Sequence, residues 1–212
     1  MIYRRFIKRA IDFLFALMGL IILSPVFLIL ILITKLDSKG PVFFVQTRMG
    51  RNRKPFRIYK FRTMKENAPN VPTHQLEDPA LVTRFGRFMR KSSLDEIPQI
   101  VNILLGQMSM IGPRPVIEEE NDGVSNLIEE REKVGANSVR PGLTGLAQIN
   151  GRDELSILDK AKMDGEYVKR LSFSLDCRIF FKTIAKVIKR EGIHDGKRRE
   201  ENASAVSDQP MK

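Results

Sequence analysis

A single cysteine, Cys177, leaves the chain without an internal disulfide, which fits a reducing cytoplasm. Histidine is nearly as scarce. His74 and His194 stand far apart with no cysteine or histidine at ligand spacing, which argues against a zinc site. A metal would have to rest on carboxylates and phosphate, an oxygen set that points to Mg²⁺. Acids are also short: 25 Asp and Glu face 36 Lys and Arg, so the formal net charge is +11 and the pI about 9.9. That balance calls for an anionic partner, whether nucleic acid, phosphorylated substrate or acidic lipid. Only one long apolar run exists, which excludes a polytopic membrane protein. There is no internal repeat.

The one apolar run covers residues 13–33, 21 residues without a charge. As a helix it would reach about 32 Å, close to the roughly 30 Å thickness of the hydrocarbon layer. A signal peptide would have a shorter centre and a small-residue cleavage site, and the run ends instead in Thr34-Lys-Leu-Asp37. Two features favour a re-entrant path over a span. Ser24-Pro25 lies at the midpoint, where proline removes a donor and clashes with the Ile21 carbonyl, predicting a break or sharp kink. The Ser24 hydroxyl is the nearest group to satisfy a freed carbonyl. Basic residues also flank both ends, Arg4, Arg5, Lys8 and Arg9 before the run and Lys35, Lys39 and Arg48 after it. A spanning helix would carry one basic cluster to the far side, whereas a hairpin returns both to the cytoplasm.

The rest of the 212 residues has room for one compact domain. The expected organisation is a membrane hairpin over 1–36, a cytoplasmic domain over 37–195 and a disordered tail over 196–212. Residues 35–65 hold ten Lys and Arg and one acid, Asp37. Within them, 42–46 and 56–64 read as strands of a hairpin whose basic face suits anionic headgroups. Three prolines make 66–80 a loop. Helices are expected over 82–91, 94–105, 116–134, 154–171 and 175–190, the last basic and amphipathic, suited equally to packing on the domain or to the membrane interface. Residues 106–115 and 139–152 read as loops. The fold class is α+β: a small, mainly helical domain with a short β-hairpin, behind a re-entrant helix broken at Ser24-Pro25.

Chemistry concentrates in Arg90-Lys-Ser-Ser-Leu-Asp-Glu-Ile-Pro98. Ser93 and Glu96 fit a capping box, while Pro98 suits the first helical turn and could shift the start to itself. Either register leaves Asp95 and Glu96 near the positive end of a helix beside Arg90 and Lys91, where a carboxylate stays ionised and a phosphate would bind. An ionised aspartate at a phosphate pocket is the arrangement an aspartyl-phosphate intermediate needs. In Gly112-Pro-Arg-Pro115 two prolines stiffen the backbone around Arg114, whose planar fork suits a diphosphate. Arg140-Pro-Gly142 repeats the device.

Taken together, Ser24-Pro25, Tyr59-Lys-Phe-Arg-Thr-Met64, Ser93-Leu-Asp-Glu-Ile-Pro-Gln99, Met108-Ser-Met-Ile-Gly-Pro-Arg-Pro115 and Arg140-Pro-Gly-Leu-Thr-Gly-Leu-Ala-Gln-Ile-Asn-Gly-Arg152 resemble the monotopic phosphoglycosyl transferases of bacterial glycoconjugate assembly, in their minimal, catalytic-domain form. The resemblance runs over roughly residues 1–190. It implies transfer of a phospho-sugar from a UDP-sugar to polyprenyl phosphate with release of UMP, a Mg²⁺ requirement, and the cytoplasmic face of the bacterial inner membrane. It implies Asp95 as nucleophile and Glu96 as its partner, both near the metal. Glu96 is left open as base, metal ligand or orienter. It further implies substrate contacts from Lys60, Arg90, Pro113, Arg114, Arg140, Pro141, Gly142, Gln148, Asn150 and Arg152, with pathway glycosyltransferases and further copies of the chain as possible partners. Two positions depart from the family pattern. Leu146 stands where tryptophan is frequent and offers no ring for stacking; Gln107 stands where an acid is common and offers no second acidic metal ligand. The competing class is a non-catalytic, membrane-tethered basic module binding anionic lipid or nucleic acid. No nucleic-acid fold signature supports it, and it leaves Asp95-Glu96 between arginines unexplained.

Overall fold

The computed structural model describes residues 2–65, 81–117, 126–151 and 154–189. The expected loop 66–80, residues 118–125 of the expected helix 116–134, Arg152 and the expected tail lie outside them. The architecture is α+β and mainly helical. A π-helical turn, Tyr3–Ile7, leads into the long helix α1, Lys8–Asp37, followed by the antiparallel hairpin β1, Phe43–Met49, and β2, Pro55–Phe61. Then come α2, Arg84–Lys91; α3, Gln99–Leu104; β3, Ser109–Ile111; α4, Leu127–Lys133; β4, Gly142–Thr144; α5, Leu146–Ile149; α6, Ile157–Arg170; and α7, Phe173–Lys189.

Of the break or sharp kink expected at Pro25, the break does not occur: helix α1 is continuous through it. The reason is local. Ser24 Oγ donates to the Ile21 carbonyl at 2.7 Å, taking over the acceptor that proline leaves orphaned. The helix from Tyr3 to Asp37 is long and apolar enough to cross a membrane. It is nevertheless bound to the domain along both halves. On the N-terminal arm Asp12 and Ala16 are buried, and Ala16 shares a core with Phe56, Ile58, Ile100, Ile103 and Met108. On the C-terminal arm Leu30 is buried against Phe61 and Met89, and the Phe27 ring lies tilted against that of Phe61, 5.1 Å between centroids. The opposite side leaves Leu14, Met18, Ile22, Leu28 and Leu32 exposed.

A polar knot fastens the first arm. Asp176 of α7 accepts from Tyr3 Oη at 2.6 Å, Lys8 Nζ at 2.8 Å and Tyr167 Oη at 2.8 Å. Asp12 accepts from Ser109 Oγ at 2.7 Å and the Met110 amide at 3.0 Å. These bonds join α1 to β3 and α7, and the carboxylates keep their hydrogen bonds after leaving water.

Two sequence expectations are corrected. The loops 106–115 and 139–152 each contribute a three-residue strand, and β3 pairs with β4 in parallel. Strands this short, set among glycine and proline, carry no alternating pattern to read. Their close approach depends on glycine: a Cβ on Gly112 would lie 2.6 Å from the Arg140 carbonyl oxygen, and one on Gly142 2.6 Å from that of Thr144. The expected helix 94–105 is split as well. Leu94–Glu96 is a single 3₁₀ turn, and α3 begins only after Pro98, the N-cap residue. Ser93 lies in the left-handed region at φ 56°, ψ 18° and makes no capping bond, so the capping box does not form. Helix α7 divides its apolar residues: Leu175 and Ile179 enter the core, while Phe181, Ile184, Val187 and Ile188 stay exposed.

Candidate active site

The chain segment after α2 turns sharply at Ser93 and presents Asp95 and Glu96 on the 3₁₀ turn. Strand β2 runs alongside. Its alternation buries Ile58 and brings Lys60 up to Glu96, with Nζ 2.8 Å from Oε1. The same carboxylate oxygen accepts from Arg114 Nη2 at 2.9 Å. Glu96 is 9 % exposed, so both contacts are shielded from solvent and matter more than surface pairs. Arg90 is held nearby by Nε donating to Thr63 Oγ1 at 2.8 Å.

Asp95, expected from the sequence to stay ionised, is held less acidic than an ordinary aspartate. Its pKa is pushed up to about 6, first by burial and then by the negative charge of Glu96, with Lys60, Arg90 and Arg114 pulling the other way. It is thus ionised at neutral pH but more basic than an ordinary aspartate. The 3₁₀ turn and the six-residue α3 supply too little helix to stabilise its charge.

Asn102 and Arg131, neither of which stood out in the sequence, fix this geometry together with their partners. Asn102 is fully buried; its Oδ1 accepts from the Tyr59 amide at 3.2 Å and its Nδ2 donates to the Arg57 carbonyl at 2.7 Å, locking α3 to β2. Gln107, at the position where the family favours an acid, accepts from the same Nδ2 at 2.7 Å and serves this brace. Arg131 pairs with buried Asp164 at 2.6 Å and donates to the Arg114 carbonyl at 2.9 Å, fixing the stiff loop from behind. Arg131 and Asp164 are 33 residues apart, a separation that carries no local pattern.

Lys60, Glu96 and Arg114 therefore meet around one small cavity of about 20 Å³, which Arg48, Gln99, Ile58 and Pro115 also line. Other expected contact residues are spread more widely. Pro113 and Gly142 are joined by the Gly142 amide donating to the Pro113 carbonyl at 2.8 Å, and the Pro141 carbonyl accepts from the Ser109 amide at 2.8 Å. Arg140 Nε donates to the Gly106 carbonyl at 2.7 Å, just beyond the far end of α3, where Arg9 also holds the Ile103 and Leu104 carbonyls. Burial, then Arg9 and Arg51, lower the Arg140 pKa. Gln148 has both amide atoms buried without a hydrogen bond, and Asn150 is exposed and donates to the Leu146 carbonyl. Leu146 packs beside the core of Ile111, Ile149 and Tyr167. Among the described residues no cluster of three or more His, Cys, Asp or Glu side chains could hold a metal ion.

Residues 3–190 match the model of the bacterial sugar transferase family, and the chain belongs to that family. It is 43 % identical over 189 residues to the UDP-glucose:undecaprenyl-phosphate glucose-1-phosphate transferase of Escherichia coli, covering 86 % of this chain and 40 % of that protein. It is 39 % identical to the exopolysaccharide production protein ExoY of Sinorhizobium fredii, over 87 % of both chains. An uncharacterized sugar transferase of Bacillus subtilis, EpsL, is 40 % identical over 88 % of this chain and 90 % of its own length.

Proposed function

We propose that this chain transfers a phospho-sugar from a UDP-sugar to polyprenyl phosphate, in two steps through a covalent aspartyl-phosphosugar. The observation that carries the proposal is Glu96 fastened by Lys60 and Arg114 beside an aspartate with a pKa near 6. Family membership and the substrate names of relatives such as the Escherichia coli transferase support it.

In the first step an ionised Asp95 oxygen attacks the β-phosphorus. The bond from that phosphorus to the bridging oxygen breaks, and the electron pair leaves with UMP. In the second, an oxygen of the lipid phosphate attacks the same phosphorus, and the bond to Asp95 breaks to restore the carboxylate. A phosphate monoester is mostly deprotonated at neutral pH, with a second pKa of about 6, so no strong base is demanded. With Oε1 already engaged by two cations, Glu96 acts as the anchor that orients Lys60 and Arg114. Arg90, Lys60 and Arg114 bind and orient the diphosphate.

The donor set fits a Mg²⁺ carried in on the diphosphate, to which two adjacent carboxylates among the described residues can add oxygen ligands. Asp95 and Glu96 would hold it, and when bound it would neutralise charge on the departing phosphate.

The membrane reading follows from α1. Both arms pack on one domain, through Ala16 on one side of Pro25 and Leu30 on the other. A helix crossing the bilayer would carry one arm away from that domain. We infer a monotopic seating on the cytoplasmic face of the inner membrane, with the exposed apolar residues of α1 and α7 facing lipid.

The test uses the full chain in detergent with a panel of UDP-sugars, undecaprenyl phosphate and Mg²⁺. UMP release that requires the lipid phosphate is expected; none with any sugar would remove the proposal. A UDP-sugar labelled at the β-phosphate should label the wild-type chain covalently and leave Asp95→Asn unlabelled.

A further inference from the structure

We propose that the side-chain amide of Gln99 donates a hydrogen bond to a non-bridging phosphate oxygen of the substrate, in a cavity shaped for one such oxygen. The inference rests on the phosphoryl-transfer reading above and adds to it a contact residue and its chemistry. Gln99 is the first residue of α3, three positions after Glu96, and is 2 % exposed. Its Nε2 is buried and makes no hydrogen bond. A buried amide donor without a partner is costly and uncommon, so its persistence calls for a partner supplied from outside the chain.

The surroundings specify that partner. Gln99 lines the cavity with Arg48, Lys60, Arg114 and Glu96, three cations and one carboxylate. Glu96 Oε1 is shared by Lys60 and Arg114, which sets cationic side chains beside the amide around the cavity. Its volume of about 20 Å³ is enough for a single water-sized atom and too little for a whole phosphate. One anionic oxygen meets these conditions: it lies among cationic side chains, accepts from Nε2 and fills the space. In the free chain a water can stand in the same position, with its oxygen toward the amide.

The alternative orientation of the amide, with its carbonyl toward the cations, makes the opposite prediction for a glutamate and is separated by the test. In full-length protein, Gln99→Leu should lower kcat/KM for the UDP-sugar that the panel identifies about 10- to 100-fold while leaving the thermal midpoint unchanged or higher, since no donor then remains unpaired. Gln99→Glu has nearly the same shape and replaces the donor by an anion, so its loss should be at least as large. UDP and inorganic pyrophosphate should each raise the wild-type melting temperature, and Gln99→Leu should shrink that rise. Retained activity in Gln99→Glu, or equal ligand-induced shifts in wild type and Gln99→Leu, would overturn the contact. A loss of activity matched by loss of folded protein, with kcat/KM per folded molecule unchanged, would overturn it too. Wild-type protein that binds UDP and transfers nothing would remove the functional reading while leaving Gln99 to be judged on binding.

Discussion

Two groups of carboxylates in the molecule are treated differently. Asp12 and Asp176 receive bonds from Tyr3, Lys8, Tyr167, Ser109 and the Met110 amide, and so tie α1, β3, α6 and α7 together. Asp95, by contrast, has no hydrogen bond to its carboxylate among the described residues, although three cations are close enough to act on its charge. Its neighbour Glu96 takes the bonds. A carboxylate whose oxygens are all engaged can brace a fold; one that keeps an oxygen free in a positive field can attack phosphorus.

The sharpest way to break this comparison is to remove the free oxygen. Asp95→Asn should reduce UMP release by about 10³-fold or more, the scale for loss of a covalent nucleophile, measured on protein whose folding is checked in parallel. The opposite result is expected at the other group. Asp176→Ala strands Lys8 and two tyrosine hydroxyls, and should cost about 3–5 kcal/mol of stability with turnover per folded molecule largely kept. Chemical denaturation together with an activity assay would tell these apart.

A smaller effect links Asp95 to stability. Its folded pKa of about 6 lies above the model-peptide 3.8, so its contribution is fully present below about pH 4 and lost as pH rises through 6. At pH 7–8 Asp95→Asn should therefore raise stability, by up to about 3 kcal/mol, and the gain should vanish near pH 4. An inactive variant that melts higher than wild type is the signature. The smallest effect is on rate: kcat/KM should climb as pH passes about 6 and level off above it, as the attacking oxygen loses its proton.

Much of this arrangement was legible in the sequence because it is local. The acidic pair, the proline-stiffened Arg114 and the basic hairpin are contiguous, and the Ser24 hydroxyl reaches the carbonyl that Pro25 frees. What the sequence did not reveal depends on distant partners. Ser93 reads as a cap until its left-handed backbone shows that it is a corner instead. Arg140 reads as a phosphate clamp, yet its Nε is engaged by the Gly106 carbonyl beyond α3. The pairing of β3 with β4, and of Arg131 with Asp164, joins segments 33 residues apart. Gln99 had a signal that could have been used, its spacing of three from Glu96, which brings both to one face of a helical turn.

The attachment of α1 has a consequence for how the protein can be handled. Because Ala16 and Leu30 sit inside the same cores as Phe56, Ile103, Phe61 and Met89, the apolar segment is a structural wall of the catalytic unit and not a detachable leash. Truncating it to obtain a soluble enzyme would open those cores to water, so the helix and the rest of the fold are completed together.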